Sequence, residues 1–127
     1  MKKKIIPLIA LILTMAFSAY AQILNPGFES WTSGDPDNWA TPNVSLVGLI
    51  PITQTADKHS GSAAVKGAVI NFMGSPFPPF ILSGPMGSGF SISQRYTSLS
   101  LFYKFTPLNG DRFSVNIIMN KGKNTIG

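Results

Sequence analysis

The chain has 127 residues, no cysteine, a single histidine and a formal net charge of +5. Without cysteine, neither a disulfide scaffold nor a thiolate metal site can form. A chain of this length can bury enough apolar surface for one domain, and we expect that domain to span residues 22–127.

Residues 1–21 have the pattern of a secretory signal peptide. Lys2, Lys3 and Lys4 form a basic start, Ile5 to Phe17 is apolar, and Ala19-Tyr20-Ala21 fits a small-x-small cleavage site. The apolar run is shorter than the roughly 20 residues that span a bilayer. We therefore expect cleavage after Ala21, no membrane span afterwards, and a secreted protein in the extracellular space or at the cell surface. An uncleaved anchor is the alternative.

Much of the formal net positive charge of the chain comes from this predicted signal peptide. Removing its three lysines lowers the formal charge from +5 to +2. The remaining basic residues are scattered along the sequence, whereas a nucleic-acid interface needs a patch or stripe. Nucleic acid is therefore not an expected partner.

The first half of the expected domain alternates turn-forming and β-like segments. Asn25-Pro26-Gly27 predicts a turn, and the polar run 32–38 predicts a loop in which Asp35 and Asp37 serve as turn residues. Trp39 is predicted to be a core residue under that loop. The apolar run 44–52 predicts a strand, and Pro51 indicates either an edge strand or the end of that strand.

The second half continues the pattern. Residues 63–72 predict a strand interrupted by Gly67, and residues 74–89 predict a long ordered loop. Residues 98–105 and 113–119 alternate apolar and polar side chains, with the strong turn signal Asn109-Gly110 between them. These two runs predict an antiparallel strand pair with one buried face.

These elements predict an all-β protein with little or no helix after the signal peptide. Several short strands separated by turn signals are typical of an antiparallel β-sandwich or barrel. Thr125 and Ile126 predict the start of another strand, with no closing strand after it. We therefore expect the N-terminal part of one β-sandwich domain from a longer protein.

The sequence offers little support for catalysis. His59 is the single candidate base, and Gly87-Ser88-Gly89 lacks the spacing of a nucleophile elbow. Paired carboxylates for glycoside cleavage are also unconvincing, because Asp35 and Asp37 lie in a predicted turn. We expect a protein that is not an enzyme.

Two binding chemistries stay open. Calcium takes carboxylate and carbonyl oxygens, which the loops around Glu29 and Asp57 could supply. Sugars stack on aromatic rings and bond polar groups, and Trp31 and Phe102 are candidates for that contact. Phe102 is singled out because it lies on the otherwise polar side of its predicted strand, where either a covering element or a partner would contact it.

Three segments carry a family likeness. Asn25-Pro26-Gly27-Phe28-Glu29-x-Trp31 with Gly34-x-Pro36-Asp37-x-Trp39, the run His59 to Lys66, and the run Arg95 to Asp111 occur in family order. Together they resemble secreted bacterial carbohydrate-binding-module-like domains with a galactose-binding-like jelly roll. The third segment is similar to a subset known as carbohydrate metabolism domain proteins. Pro26, Asn38 and Tyr96 depart from the usual residues.

The resemblance implies a two-sheet jelly roll that binds a glycan or packs beside further domains of a full-length chain. It implies Glu29 as a ligand of a structural calcium ion, which an Asp-rich closing segment absent from this sequence would complete. Two other interpretations stay open: a structural or adhesive spacer that binds no sugar, and a fragment of a glycan-processing enzyme.

Overall fold

A computed structural model describes residues 23–94 and 96–127. The predicted signal peptide, residues 1–21, lies outside the described residues. The chain divides into two compact units, of which the first ends at Tyr96 and the second is Thr97–Gly127. The prediction of a single domain over 22–127 stays a prediction.

The first unit consists of short strands and two 3-10 turns, in keeping with a sequence rich in glycine, proline and β-branched residues. The strands are β1 Trp31–Thr32, β2 Asp35–Pro36, β3 Trp39–Ala40, β4 Ile52–Thr55, β5 Ala64–Gly67, β6 Ile70–Phe72, β7 Ser75–Phe77 and β8 Leu82–Ser83, with 3-10 turns at Ser45–Val47 and Pro85–Gly87. They pair as β1–β2, β3–β8, β4–β5 and β6–β7, all antiparallel. The all-β prediction is confirmed at this level: the described residues form antiparallel strands and no α-helix.

Two of these pairs are hairpins closed by two-residue turns. Ser33 and Gly34 join β1 to β2 with φ of 53° and 91°, and Met73 and Gly74 join β6 to β7 with φ of 50° and 84°. Positive φ at both turn residues is what a type I′ turn requires, and this turn matches the twist of the flanking strands. The run 32–38, predicted as a loop, therefore contains a hairpin.

The run 44–52 is not one strand. Val44 and Leu49 form an isolated antiparallel bridge across the turn Ser45–Val47, and the strand starts only at Ile52. Gly48 makes this tight reversal possible, because its φ of 71° is in the left-handed region that glycine adopts without a Cβ penalty.

The core of the first unit is small and lies where β4 and β5 meet the preceding loops. Ile52, at the start of β4, is 3% exposed, and Leu49 and Ala63 are also buried. Pro36 and Pro51 are the largest fully buried side chains among the described residues. Proline suits this position because it buries apolar surface while bringing no backbone N–H that would need a partner.

The second unit contains one hairpin, β9 Asn120–Lys121 paired with β10 Asn124–Thr125. The predicted turn at Asn109-Gly110 is confirmed, since their φ values are 51° and 86° and the Asp111 amide donates to the Leu108 carbonyl over 3.0 Å. The two strands predicted on either side of it are wrong, because residues 98–105 and 113–119 lie outside the strands.

Register explains this outcome. A two-residue turn at 109–110 places residue 108 opposite residue 111, so odd-numbered residues before the turn face even-numbered residues after it. Tyr103 and Phe105 would then share a face with Ser114 and Asn116 rather than with Phe113. The turn and the apolar alternation therefore demand pairings that differ by one residue.

This conflict predicts that one inserted glycine after Gly110 increases strand content in residues 98–119. The insertion shifts the pairing by one residue and brings the apolar side chains of both runs onto one face. Amide hydrogen exchange should show new protection in both runs. Two inserted glycines restore the mismatch and serve as the control; equal protection in both variants would contradict the register argument.

Within the described part of the chain, no helix combines the length and apolar character needed to cross a membrane.

Candidate functional site

The stretch Asn25 to Trp39 is organised by the side chain of Asn25. Its Nδ2 donates to the carbonyls of Ser30 and Asp37 over 2.9 and 3.0 Å, and its Oδ1 accepts from the Ser30 amide over 3.2 Å. The indole Nε1 of Trp39 donates to the Asn25 carbonyl over 3.2 Å. The hydrogen bonds of Asn25 therefore connect both ends of the stretch Asn25 to Trp39. This stretch is the first of the three segments that carry the family likeness, and its role is to support the local structure.

The two tryptophans of this stretch also make structural contacts. Trp31, in β1, is half-buried and its Nε1 donates to the Phe28 carbonyl over 2.6 Å. The ring of Trp39, in β3, lies against Phe28 with centroids 5.0 Å apart. Trp39 is half-buried rather than fully buried. The predicted sugar contact of Trp31 stays a prediction, and its N–H is already engaged within the protein.

Glu29 projects from this scaffold onto the loop that precedes β5. Its Oε2 accepts a hydrogen bond of 2.8 Å from the Ser62 amide and another from the Ser62 hydroxyl. Gly61 is required beside it, because a Cβ there would lie 1.8 Å from Glu29 Oε1 and its φ is +73°. The carboxylate thus links the two segments 25–39 and 59–66 that carry the family likeness.

The hydrogen bonds at this loop stabilise the ionised form of Glu29. The Ser62 hydroxyl and then the Ser62 amide lower the pKa of the carboxyl below its ordinary value of 4.5, with further help from the Ala63 amide and the positive charge of Lys58. Partial desolvation opposes this shift. Glu29 is therefore a charged group at neutral pH that holds the loop through three donors.

Calcium coordination by Glu29 stays a prediction. Calcium takes about six to eight oxygen ligands, commonly including several carboxylates. Among residues 23–94 and 96–127, no three acidic or imidazole side chains are grouped so as to hold a metal ion. The described residues alone therefore do not fit a carboxylate-rich calcium site.

The lowered pKa of Glu29 predicts that Glu29→Gln destabilises the chain more at neutral pH than in acid. A carboxyl whose pKa is lowered by folding stabilises the protein above its unfolded pKa, and this contribution disappears as the pH falls through the folded pKa. Urea unfolding of both chains at about pH 7 and about pH 3 should show a difference in unfolding free energy that is smaller at the lower pH. A difference that is the same at both values would contradict the assigned role.

An open cavity of about 240 Å³ adjoins the same loop. It is lined by Gln54, Thr55, Ala56, Ser62 and Ala63. These five residues are small or polar, and none offers an aromatic face on which a sugar ring could stack. Ser62 belongs to both the cavity wall and the Glu29 contact, so this cavity depends on the Glu29 hydrogen bonds for its shape.

The second unit has an exposed group of aromatic rings, which we call the aromatic cluster: Tyr103, Phe105 and Phe113. Tyr103 and Phe113 are stacked with centroids 4.9 Å apart and 19° between their planes, and Phe105 lies 6.1 Å from Phe113. Tyr103 is 64% exposed, and the adjacent Phe102 is 76% exposed. All four aromatic side chains therefore present ring surface to solvent.

The predicted site residues are thus placed in different settings. Phe102 belongs to the second unit and immediately precedes Tyr103 of the aromatic cluster in the sequence, whereas Trp31 and Glu29 belong to the first unit. The structure brings Glu29 into contact with Ser62. The sequence motifs give the order of these two residues along the chain but do not predict that they pair. Phe113 was missed as a candidate, although its position in the apolar alternation was the signal that could have grouped it with Tyr103 and Phe105.

Comparisons with known protein families, with curated proteins and with solved structures found no match to this chain.

Proposed function

We propose that this chain is a secreted, non-catalytic carbohydrate-binding module. Its architecture in this proposal is an antiparallel β-sandwich of the jelly-roll type, exported by the signal peptide at residues 1–21. The observation that carries the proposal is the exposure of the aromatic cluster and of Phe102, which precedes it in the sequence, because an ordinary core would bury these rings.

The chemistry of these rings suits a sugar. The C–H bonds on one face of a hexose are apolar and pack against an aromatic plane, while its hydroxyls need polar neighbours. The near-parallel stack of Tyr103 and Phe113 provides such a plane, and the Tyr103 hydroxyl provides a donor and acceptor at its edge. Lys104, between Tyr103 and Phe105 in the sequence, adds a hydrogen-bond donor to this run.

A glycan array probed with the purified chain tests the proposal. We expect binding to at least one neutral glycan, with a loss of roughly five- to tenfold in affinity for Phe102→Ala, as expected for an aromatic contact worth about 1–1.5 kcal/mol. Leu108→Ala is the matched control, because Leu108 is an exposed apolar residue of the same unit without a ring. No glycan bound above background would reject the proposal.

Trp31 is tested separately because its structural hydrogen bond complicates an alanine substitution. Trp31→Phe keeps an aromatic face but removes the Nε1 donor to the Phe28 carbonyl. If Trp31 contacts the sugar through its ring face, this variant retains most of the glycan binding and Trp31→Ala loses it. Equal affinities for both variants and the parent chain would show that Trp31 does not contact the glycan.

A structural or adhesive spacer within a larger protein is the second candidate. Residues 25–39 favour this candidate, because the polar groups of Asn25, Trp31 and Trp39 make hydrogen bonds within the protein. In that case the array stays blank while the chain remains folded, as judged by cooperative unfolding.

A further inference from the structure

Three backbone hydrogen bonds, made at Asp111 and Met119, define one edge of the segment 111–121. The Asp111 amide donates to the Leu108 carbonyl over 3.0 Å, and Met119 exchanges hydrogen bonds with Gly127 and Ile126. In an extended strand, alternate residues direct their N–H and C=O groups to opposite edges. Asp111 and Met119 are eight residues apart, so these three bonds lie on the edge used by odd-numbered residues when the segment is extended.

The other edge of this segment belongs to Ser114, Asn116 and Ile118. None of the backbone hydrogen bonds among the described residues involves these three. An edge that carries N–H and C=O groups without strand partners is a template for pairing with another strand.

The side chains of the same segment favour pairing. Residues 113–119 read Phe-Ser-Val-Asn-Ile-Ile-Met, which is rich in residues of high β-propensity and carries no charge and no proline. Phe113, Val115 and Ile117 are each at least 48% exposed. The lysines, prolines and inward charges with which proteins commonly protect an edge are absent from these seven residues.

We propose that this edge binds the same segment of a second copy of the chain, in antiparallel pairing about a two-fold axis at Asn116. In this register Ser114 lies opposite Ile118 of the other copy, and Val115 lies opposite Ile117. Phe113 lies opposite Met119, so the apolar side chains of both copies share one face. The interface is isologous and closes with two copies.

The charged residues at the ends of the segment favour the antiparallel pairing. The same register places Asp111 of each copy opposite Lys121 of the other, which gives two opposite-charge pairs at the ends of the paired segment. A parallel, in-register arrangement would instead stack Asp111 on Asp111 and Lys121 on Lys121, and like charges directly opposite are destabilising. The antiparallel dimer is therefore favoured over a parallel stack.

Cysteine cross-linking tests the two-fold axis directly, because the chain has no cysteine of its own. Opposed residues of an antiparallel hydrogen-bonded pair have Cα atoms about 5.5 Å apart, within the roughly 4.4–6.8 Å that a disulfide spans. Asn116→Cys in the full chain should form a disulfide-linked dimer under mild oxidation. Ser114→Cys is the control on the same side of the strand, and its two sulfurs would be four residues apart in register.

A charge exchange tests the register independently of cross-linking. Lys121→Asp should shift the chain toward monomer in analytical ultracentrifugation, and the double variant Asp111→Lys with Lys121→Asp should restore the dimer. Lys123→Asp makes the same charge change opposite Asn109 and should leave the dimer intact. A monomeric parent chain, equal cross-linking at positions 114 and 116, or a double variant no more dimeric than Lys121→Asp would each overturn the proposal.

Discussion

Gly84→Ala is expected to be the most destabilising of the single substitutions considered for the first unit. Gly84 is buried after β8, its φ is 80° and its ψ is 158°, and its amide donates to the Asn38 carbonyl over 2.8 Å. Only glycine adopts this backbone conformation readily, and the conformation alone costs another residue about 1–3 kcal/mol.

Steric overlap adds to that cost. A Cβ on Gly84 would lie 2.1 Å from the carbonyl oxygen of Gly89 and 2.7 Å from its nitrogen. Both atoms belong to the backbone, so no side-chain rotation relieves the overlap and the turn Pro85–Gly87 has to move. That movement strains the hydrogen bond of 2.8 Å that the Gly89 amide donates to the Ser83 carbonyl, which closes the turn.

Urea unfolding followed by tryptophan fluorescence measures this effect, since both tryptophans lie in the first unit. Gly89→Ala is the matched control: its φ of +76° is similar, but a Cβ there meets no atom within 4 Å. We expect the control to lose about 1–2 kcal/mol and Gly84→Ala to lose clearly more. Equal losses would show that overlap with Gly89 has no role.

Asn43→Ala is expected to lower the free energy of unfolding by at least about 2 kcal/mol. The Asn43 side chain mimics a strand: its Nδ2 donates to the Ile52 carbonyl over 2.9 Å, and its Oδ1 accepts from the Ile52 amide over 3.1 Å. Alanine would leave both backbone groups of the buried Ile52 without these partners, and unsatisfied buried groups cost about 1–3 kcal/mol each.

The same amide also positions Asp35. Asn43 Nδ2 and the Thr41 hydroxyl donate to Asp35 Oδ1 over 2.8 and 2.5 Å. Asn43→Asp keeps an acceptor for the Ile52 amide but loses the donor and brings a second carboxylate to Asp35, so we expect it to be no more stable than Asn43→Ala at neutral pH.

Asn71→Ala provides the comparison for Asn43→Ala, because it removes an amide of the same type from an exposed site. Asn71 Oδ1 accepts only from the Gly74 amide of its own turn, over 3.0 Å. Surface substitutions of this kind change stability by about 0.5 kcal/mol. Similar losses for Asn43→Ala and Asn71→Ala would contradict the strand-mimicking role of Asn43.

The sequence was most informative where local turn chemistry decides the structure. The Asn109-Gly110 turn, the interruption of the strand at Gly67 and the predominance of short strands could all be predicted, because they depend on backbone preferences of single residues. The Ser33-Gly34 hairpin was missed although Ser-Gly is itself a turn signal, because a polar, proline-containing run was interpreted as a loop.

Contacts between distant residues could not be predicted in this way. Asn25 and Asn43 act through their side-chain amides on backbone groups 5 to 12 residues away. Asp35 was interpreted as a turn residue, yet its carboxylate accepts from the side chains of Thr41 and Asn43. Such pairings depend on how the loops fold back, and nothing in the spacing of these residues specifies them.

The features of the candidate site could likewise be predicted from the sequence only in part. Phe102 was singled out because it breaks the polar pattern of its run, but that pattern left open whether another element covers it, and its exposure required the structure. The stacking of Tyr103 on Phe113 was not, since the apolar alternation suggested a shared face while the Asn109-Gly110 turn opposes that register. The Glu29–Ser62 contact joins residues 33 positions apart and likewise required the structure.

Aromatic side-chain NMR during titration with a glycan that the chain binds tests the proposed function most directly. We expect the ring resonances of Phe102, Tyr103 and Phe113 to shift together with one affinity, while the indole resonance of Trp39, packed against Phe28, does not shift. Shifts confined to other residues, or no shift with any neutral glycan, would contradict a carbohydrate site at the aromatic cluster.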